Sequence, residues 1–225
     1  MLESIKMANV KQLDRSKAQG QYRTTQTDYN KLPNYIKYRY DQAVYYLPEK
    51  AKVYELGSGI GVGLSNLAKL RPDLDFVGFE LSLEAIEYGN RFFSDIKNLK
   101  LVHTTNLESV YQNMIPNSFL IAYEVLEHLD DEMLNFFKQK IMSKVNKAVF
   151  SFPYDQQNIE GTEHLQSFTI YDIFEIFPGF ETIFMRKGSL KFMGHWVRQE
   201  RSEILREIGI RGEHKAILRY TNYTL

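Results

Sequence analysis

Between residues 53 and 63 the chain reads Val-Tyr-Glu-Leu-Gly-Ser-Gly-Ile-Gly-Val-Gly, an apolar lead-in to an acid followed by glycines at 57, 59, 61 and 63. No other segment restricts the fold as much. A strand that stops in such a turn and opens into a helix lets bare backbone approach a nucleotide-like ligand. Gly57 and Gly59, with Ser58 between them, would supply positive φ or the room that a Cβ would fill. Gly61 would let the next helix pack closely on the strand.

The flanking residues select the ligand. A dinucleotide turn usually carries an apolar residue two positions before its first glycine, whereas this chain has Glu55 there. A carboxylate at that point repels a pyrophosphate but suits the cationic amino-acid end of S-adenosylmethionine. Further on, Asp75-Phe-Val-Gly-Phe-Glu80-Leu-Ser reads as a second strand ending in an acid. A carboxylate at that strand end can accept both ribose hydroxyls. On these residues the chain resembles the class I S-adenosylmethionine-dependent methyltransferases. Glu55, Gly57, Gly59 and Gly61 match that family's first motif and Glu80 its second. The resemblance spans residues 50–180 and implies S-adenosylmethionine as cofactor. It also implies a Rossmann-like α/β fold, with a mainly parallel seven-stranded sheet, helices on both faces and an N-terminal helical lid. Under it, Ser58, Leu81, Leu107 and Tyr123 join the cofactor pocket.

At 225 residues the chain suits a single domain. Residues 1–50 would form the lid or helical extension, 51–184 the cofactor-binding core, and 185–225 C-terminal strands with a helical insertion. The absence of cysteine excludes disulfides and thiolate metal sites. No apolar run is long enough to span a bilayer, so a soluble, cytoplasmic protein without a membrane partner is expected. Zero net charge argues against a dedicated nucleic-acid binder. Charge is unevenly spread, however. Residues 1–50 hold nine Lys/Arg against five Asp/Glu and residues 185–225 nine against four, while the middle is acidic. Either both flanks are solvated surface, or they fold over the site and attract an anionic substrate.

Apolar and aromatic spacing over 29–47 predicts a helix after a Pro33 start, strands at 53–56, 76–80, 119–124 and 148–153, a third strand with its exit turn over 100–107, and helices over 64–70, 83–96 and 130–146. A loop over 154–168 precedes a helix at 171–177 and a strand at 181–186. Two segments, 190–193 and 214–223, compete for the last strand. Residues 195–208, with Trp196, read as helical. The tyrosines of 29–47 are mostly packing residues, although one or two of them, with Tyr22 or Tyr29, could face the substrate or the sulfonium, where a ring face attracts positive charge. The aromatic ends also suit a homodimer surface.

Chemistry in such a sheet gathers beyond the carboxyl ends of the strands. Asn106 follows the third strand, where the family holds the adenine amino group, more often with Asp. Glu124-Val-Leu-Glu-His-Leu129 resembles a segment of the small-molecule branch, in which Tyr123 and Glu124 line the methionine arm and the His can face the acceptor. His128 is then a candidate general base or a helix-start residue that only caps. Glu127 could contact substrate and orient that imidazole, or be a first-turn acid stabilised by the helix dipole. His164 is a second catalytic candidate, or a loop residue. No metal ligand is assigned on this reading. A different one is open: Glu124, Glu127, His128 and His164 resemble the metal-binding set of the small-RNA 3′-terminal 2′-O-methyltransferases, and two carboxylates with two imidazoles suit a divalent ion.

The expected activity is methyl transfer to an oxygen or nitrogen of a small molecule, with phosphate- or carboxylate-bearing acceptors among the candidates. The alternatives are the metal-dependent RNA enzyme and a catalytically silent cofactor-binding protein.

Overall fold

The computed structural model describes residues 26–153, 164–178, 181–186 and 191–197. A short 3-10 turn at Tyr29–Lys31 precedes helix α1 (Asn34–Tyr46). Pro33 separates the two, because its ring fixes φ and suits a helix start rather than a helix interior. The helix expected after the Pro33 start is thus Asn34–Tyr46, with the short turn before it as a separate piece.

Strand β1 (Lys52–Leu56) leads through the glycine turn into α2 (Val62–Leu70). Then follow β2 (Asp75–Glu80), α3 (Leu83–Phe92), β3 (Leu99–His103) and α4 (Leu107–Asn113). Sequence reading missed α4, which is too short for its periodicity to stand out. It also carried α3 four residues too far. Next come β4 (Ser118–Tyr123), α5 (Asp131–Phe136), β5 (Val145–Pro153) and α6 (Ile170–Ile176). The predicted helix over 130–146 breaks up after Phe136, where a π turn at Phe137–Ile141 and a 3-10 turn at Met142–Lys144 take over. Val145 is already paired with Ser118 in the sheet, so the chain has to leave the helical path earlier than local spacing suggests.

The strands β6 (Glu181–Arg186) and β7 (Lys191–Val197) complete the order β3-β2-β1-β4-β5-β7-β6. The first five strands run parallel, and β7 lies antiparallel to both β5 and β6. Thus the 190–193 candidate is the strand, and it is longer than expected. His195 and Trp196 belong to it rather than to a helix, their backbone claimed by pairing with Val149 and Ala148. Residues 198–208 and the 214–223 candidate lie outside the described residues.

Period-two alternation divides the core. Val53, Phe76, Phe119, Ile121 and Val149 point to the face covered by α1, α2 and α3. Tyr54, Val77, Phe79, Leu120 and Phe150 point to the face covered by α4, α5 and α6. All six residues of β4 are buried, as a strand with parallel neighbours on both edges and helices on both faces requires. Because β2 and β3 lie on one side of β1, and β4 and β5 on the other, the chain reverses direction across the sheet between β1 and β4. The crevice outside the carboxyl ends of those two strands is where ligands of open α/β sheets bind. Among the described residues, no helix is long and apolar enough to cross a membrane.

Candidate active site

One wall of this crevice is the turn after β1. Gly57, Gly59 and Gly61 all have positive φ, at 69°, 56° and 80°. A Cβ on Gly59 would meet nothing within 4 Å, so its backbone is open to an approaching ligand. A Cβ on Gly61 would stand 2.6 Å from Leu101 Cδ2. The tight approach at Gly61 is therefore to a β3 side chain, in addition to the helix packing that the sequence suggests.

Glu80 ends β2 and is fixed by two backbone amides. Gly59 N–H donates to its Oε2 (2.9 Å) and Ser82 N–H to its Oε1 (3.0 Å). These two amides hold the carboxylate in place at the end of the strand. Leu81, next along, is 39% exposed, and its carbonyl lies 3.0 Å from His103 Nε2.

Glu55 is 1% exposed. The Tyr40 hydroxyl donates to its Oε1 at 2.6 Å, while Oε2 is buried with no hydrogen-bond partner, as is Ser58 Oγ. Burial pushes the Glu55 carboxyl up to about 8; the Tyr40 hydrogen bond opposes that shift and the nearby Glu80 charge adds to it. A buried carboxylate oxygen without a partner is costly, and an ammonium group would satisfy it. The residues present therefore fit a cationic amino-acid arm.

Around this pair lies a cage of aromatic rings. Tyr40 meets Tyr123 edge-on at 5.3 Å and Tyr29 at 6.4 Å. The Tyr123 hydroxyl donates to the Arg39 carbonyl (2.9 Å). The Tyr29 hydroxyl, a candidate to face substrate or sulfonium, turns back to α1, where its one proton has Asp41 Oδ1 (2.7 Å) and the Lys37 carbonyl (2.9 Å) as acceptors. Tyr22 lies outside the described residues.

Asn106 stands after β3, as expected, and caps α4: its Oδ1 accepts from Ser109 N–H (2.8 Å). Leu107 opens that helix and packs half-buried on the core. Glu124 has φ 56°, a left-handed backbone uncommon for a non-glycine residue. Its amide donates to the Ser151 carbonyl (3.0 Å), and its Oε1 takes the Ser151 hydroxyl (3.0 Å) and the Arg39 guanidinium (3.2 Å).

Beyond it the 3-10 turn Leu126–His128 carries Glu127, whose side chain is buried. The Glu127 carbonyl accepts from the amides of Leu165 (2.7 Å) and Gln166 (3.0 Å). These bonds lay the 164–166 segment against the turn and bring His164 to His128. The two rings stand edge to face with centroids 5.0 Å apart. One ligand atom from each of Glu127, His128 and His164 lies within 4.8 Å of the others. Two imidazoles and a carboxylate fit a borderline divalent ion. Glu124, the fourth residue of the suggested set, is engaged by Arg39 and Ser151 instead.

In the sequence Tyr40 is one of several recurring aromatic positions on its helix, with nothing local to mark it as the partner of Glu55, and Arg39 carries no signal of its own.

No family model matches the chain. A curated relative, the uncharacterized protein RP028 of Rickettsia prowazekii (strain Madrid E), is 31% identical over 105 residues, or 45% of this chain. The match takes in 39% of that relative, so the chain spans about two-fifths of its length. Solved structures are similar over more of the chain. The methyltransferase domain of bacterial CtHen1-CN aligns with 73% of this chain and all of its own, at TM-score 0.56 and 20% identity. Magnesium protoporphyrin IX methyltransferase of Synechocystis PCC 6803, with S-adenosylhomocysteine bound, aligns with 75% of this chain and 89% of its own, at TM-score 0.55 and 15% identity. The fold is that of the class I S-adenosylmethionine-dependent methyltransferases.

Proposed function

We propose that this chain is an S-adenosylmethionine-dependent methyltransferase acting on an oxygen or nitrogen of a small acceptor, one bearing phosphate or carboxylate. The observation that carries the reading is the pair of carboxylates across the β1 turn. Glu80 is held by two backbone amides at the end of β2, and Glu55 keeps one buried oxygen without a partner. Glu55 suits the ammonium group, Glu80 the ribose, and Gly57, Ser58, Gly59 and Gly61 the close approach of backbone to the methionine arm. Leu81 and Leu107 would border the adenine, and Asn106 would offer its side-chain amide there. Tyr123 and Glu124 close the arm from the β4 side.

When bound, the sulfonium supplies the methyl group for an in-line displacement. The protein has to align the acceptor and exclude water. His128 takes the acceptor's proton and Glu127 orients the ring, while His164 borders the acceptor.

A second reading is favoured by the closeness of Glu127, His128 and His164. There the three residues hold a divalent ion, which would bind the vicinal hydroxyls of an RNA 3′-terminal ribose, and the reaction is 2′-O-methylation.

Labelled-methyl transfer decides between them. Purified protein is offered phosphorylated and carboxylated hydroxy- and amino-metabolites and a short RNA, each with and without a chelator. Chelator-resistant transfer to a metabolite supports the first reading, and chelator-sensitive transfer to RNA the second. Cofactor binding with no transfer to any acceptor would favour a regulatory protein.

A further inference from the structure

The hydroxyl of Tyr40 is not needed for packing. The ring alone fills the space over α2, where a Cβ on Gly63 would come within 2.0 Å of it, and meets Tyr29 and Tyr123 edge-on. Phenylalanine would make all these contacts. A buried hydroxyl is costly unless bonded, and this one donates to Glu55 Oε1 at 2.6 Å. That bond fixes the carboxylate rotamer and leaves Oε2 without a partner.

We infer that Tyr40 is a positioning residue for the ammonium group of the methyl donor, acting through Glu55, so that helix α1 belongs to the cofactor site. The inference rests on the cofactor reading above and adds the helix to it. Arg39, the preceding residue, fastens the same helix to the β4 side of the crevice by its ion pair with Glu124 and by its carbonyl to Tyr123. Helix α1 therefore bridges the ends of β1 and β4, the two strands that flank the switch point. The charged and titratable groups around Glu55 and Tyr40 are Glu80 on β2, Tyr123 on β4, and Arg39 on α1.

Two ligands separate this role from plain packing. S-adenosylhomocysteine carries the amino-acid arm, whereas 5′-methylthioadenosine has the same adenosine thioether without it. Calorimetry on the full chain and on Tyr40→Phe, with folding checked by thermal melting, should show about a tenfold loss of S-adenosylhomocysteine affinity, the size of one charge-assisted hydrogen bond. Methylthioadenosine affinity should stay within about twofold of the parent, as expected where no bonded group changes. In a Glu55→Gln background, Tyr40→Phe should cost no further S-adenosylhomocysteine affinity. Equal losses for both ligands, no loss for either, or an additive loss in that background would overturn the inference. If the parent protein binds neither ligand, the cofactor reading itself falls. If it binds both and Tyr40→Phe does not distinguish them, only the role of Tyr40 falls.

Discussion

His128 and His164 lie 36 residues apart in the chain, yet their imidazole rings meet edge to face at 5.0 Å, with Glu127 beside them. Two nitrogen ligands and one oxygen select Mn²⁺, Co²⁺ or Zn²⁺ ahead of Mg²⁺, which prefers an all-oxygen shell. Titration with Mn²⁺, followed by electron paramagnetic resonance, should show one bound ion per chain. His164→Ala should weaken it by at least the roughly tenfold seen when a metal site loses only an outer-shell partner. Absence of binding to the parent protein would remove the RNA reading.

Were the pair to work without metal, His128 would be the base. His128→Ala should then leave S-adenosylhomocysteine affinity unchanged and slow methyl transfer by about two to four orders of magnitude. Single-turnover kinetics with a labelled methyl group would measure it, and near-normal turnover would exclude the role.

If Glu55 receives the ammonium group as proposed, cofactor binding should be proton-linked. Burial first, and Glu80 next, raise its carboxyl to about 8, so the cofactor-free protein holds it protonated at neutral pH. A bound ammonium favours the carboxylate and lowers that value, so binding should release a proton at pH 7. Calorimetry in Tris and in phosphate should give different apparent enthalpies, from which the proton count follows; Glu55→Gln should abolish the difference. Stability without ligand follows the same sign. The folded value lies above the unfolded one of 4.5, so the contribution is fully present below pH 4.5 and is lost as pH rises to about 8. Chemical denaturation across that window should show a decline that Glu55→Gln lacks.

Gly63 sits inside α2, where alanine would ordinarily be favoured. Here its Cβ would come within 2.0 Å of the Tyr40 ring. Gly63→Ala should therefore destabilise the fold by about 1–3 kcal/mol, as overpacking does. It should also weaken S-adenosylhomocysteine binding, because Tyr40 cannot move without releasing Glu55. Urea unfolding and calorimetry would test both; a stabilised variant would show that α1 is loosely seated.

The parts of the site legible in the sequence are those written in neighbouring residues. Glycines at 57, 59 and 61 demand a backbone few other residues adopt, and all three have positive φ. Glu55, one residue before the end of β1, and Glu80, the last residue of β2, each follow a short apolar and aromatic run that reads as a buried strand. From these and the strand–helix alternation the sheet and its ligand-binding edge followed. Local spacing failed where the sheet overruled it, as at Val145 and Trp196, whose backbones are taken by strand pairing.

What the sequence by itself determined is thus the turn, its two acids and the alternating layers, since each depends on φ, spacing and polarity within a few residues. Only the tertiary structure decided that Tyr40 reaches Glu55, that Arg39 claims Glu124, and that His164 is laid against His128 by the Glu127 carbonyl. Those pairings join separate elements through packing and long-range hydrogen bonds, and no local pattern of residues encodes them.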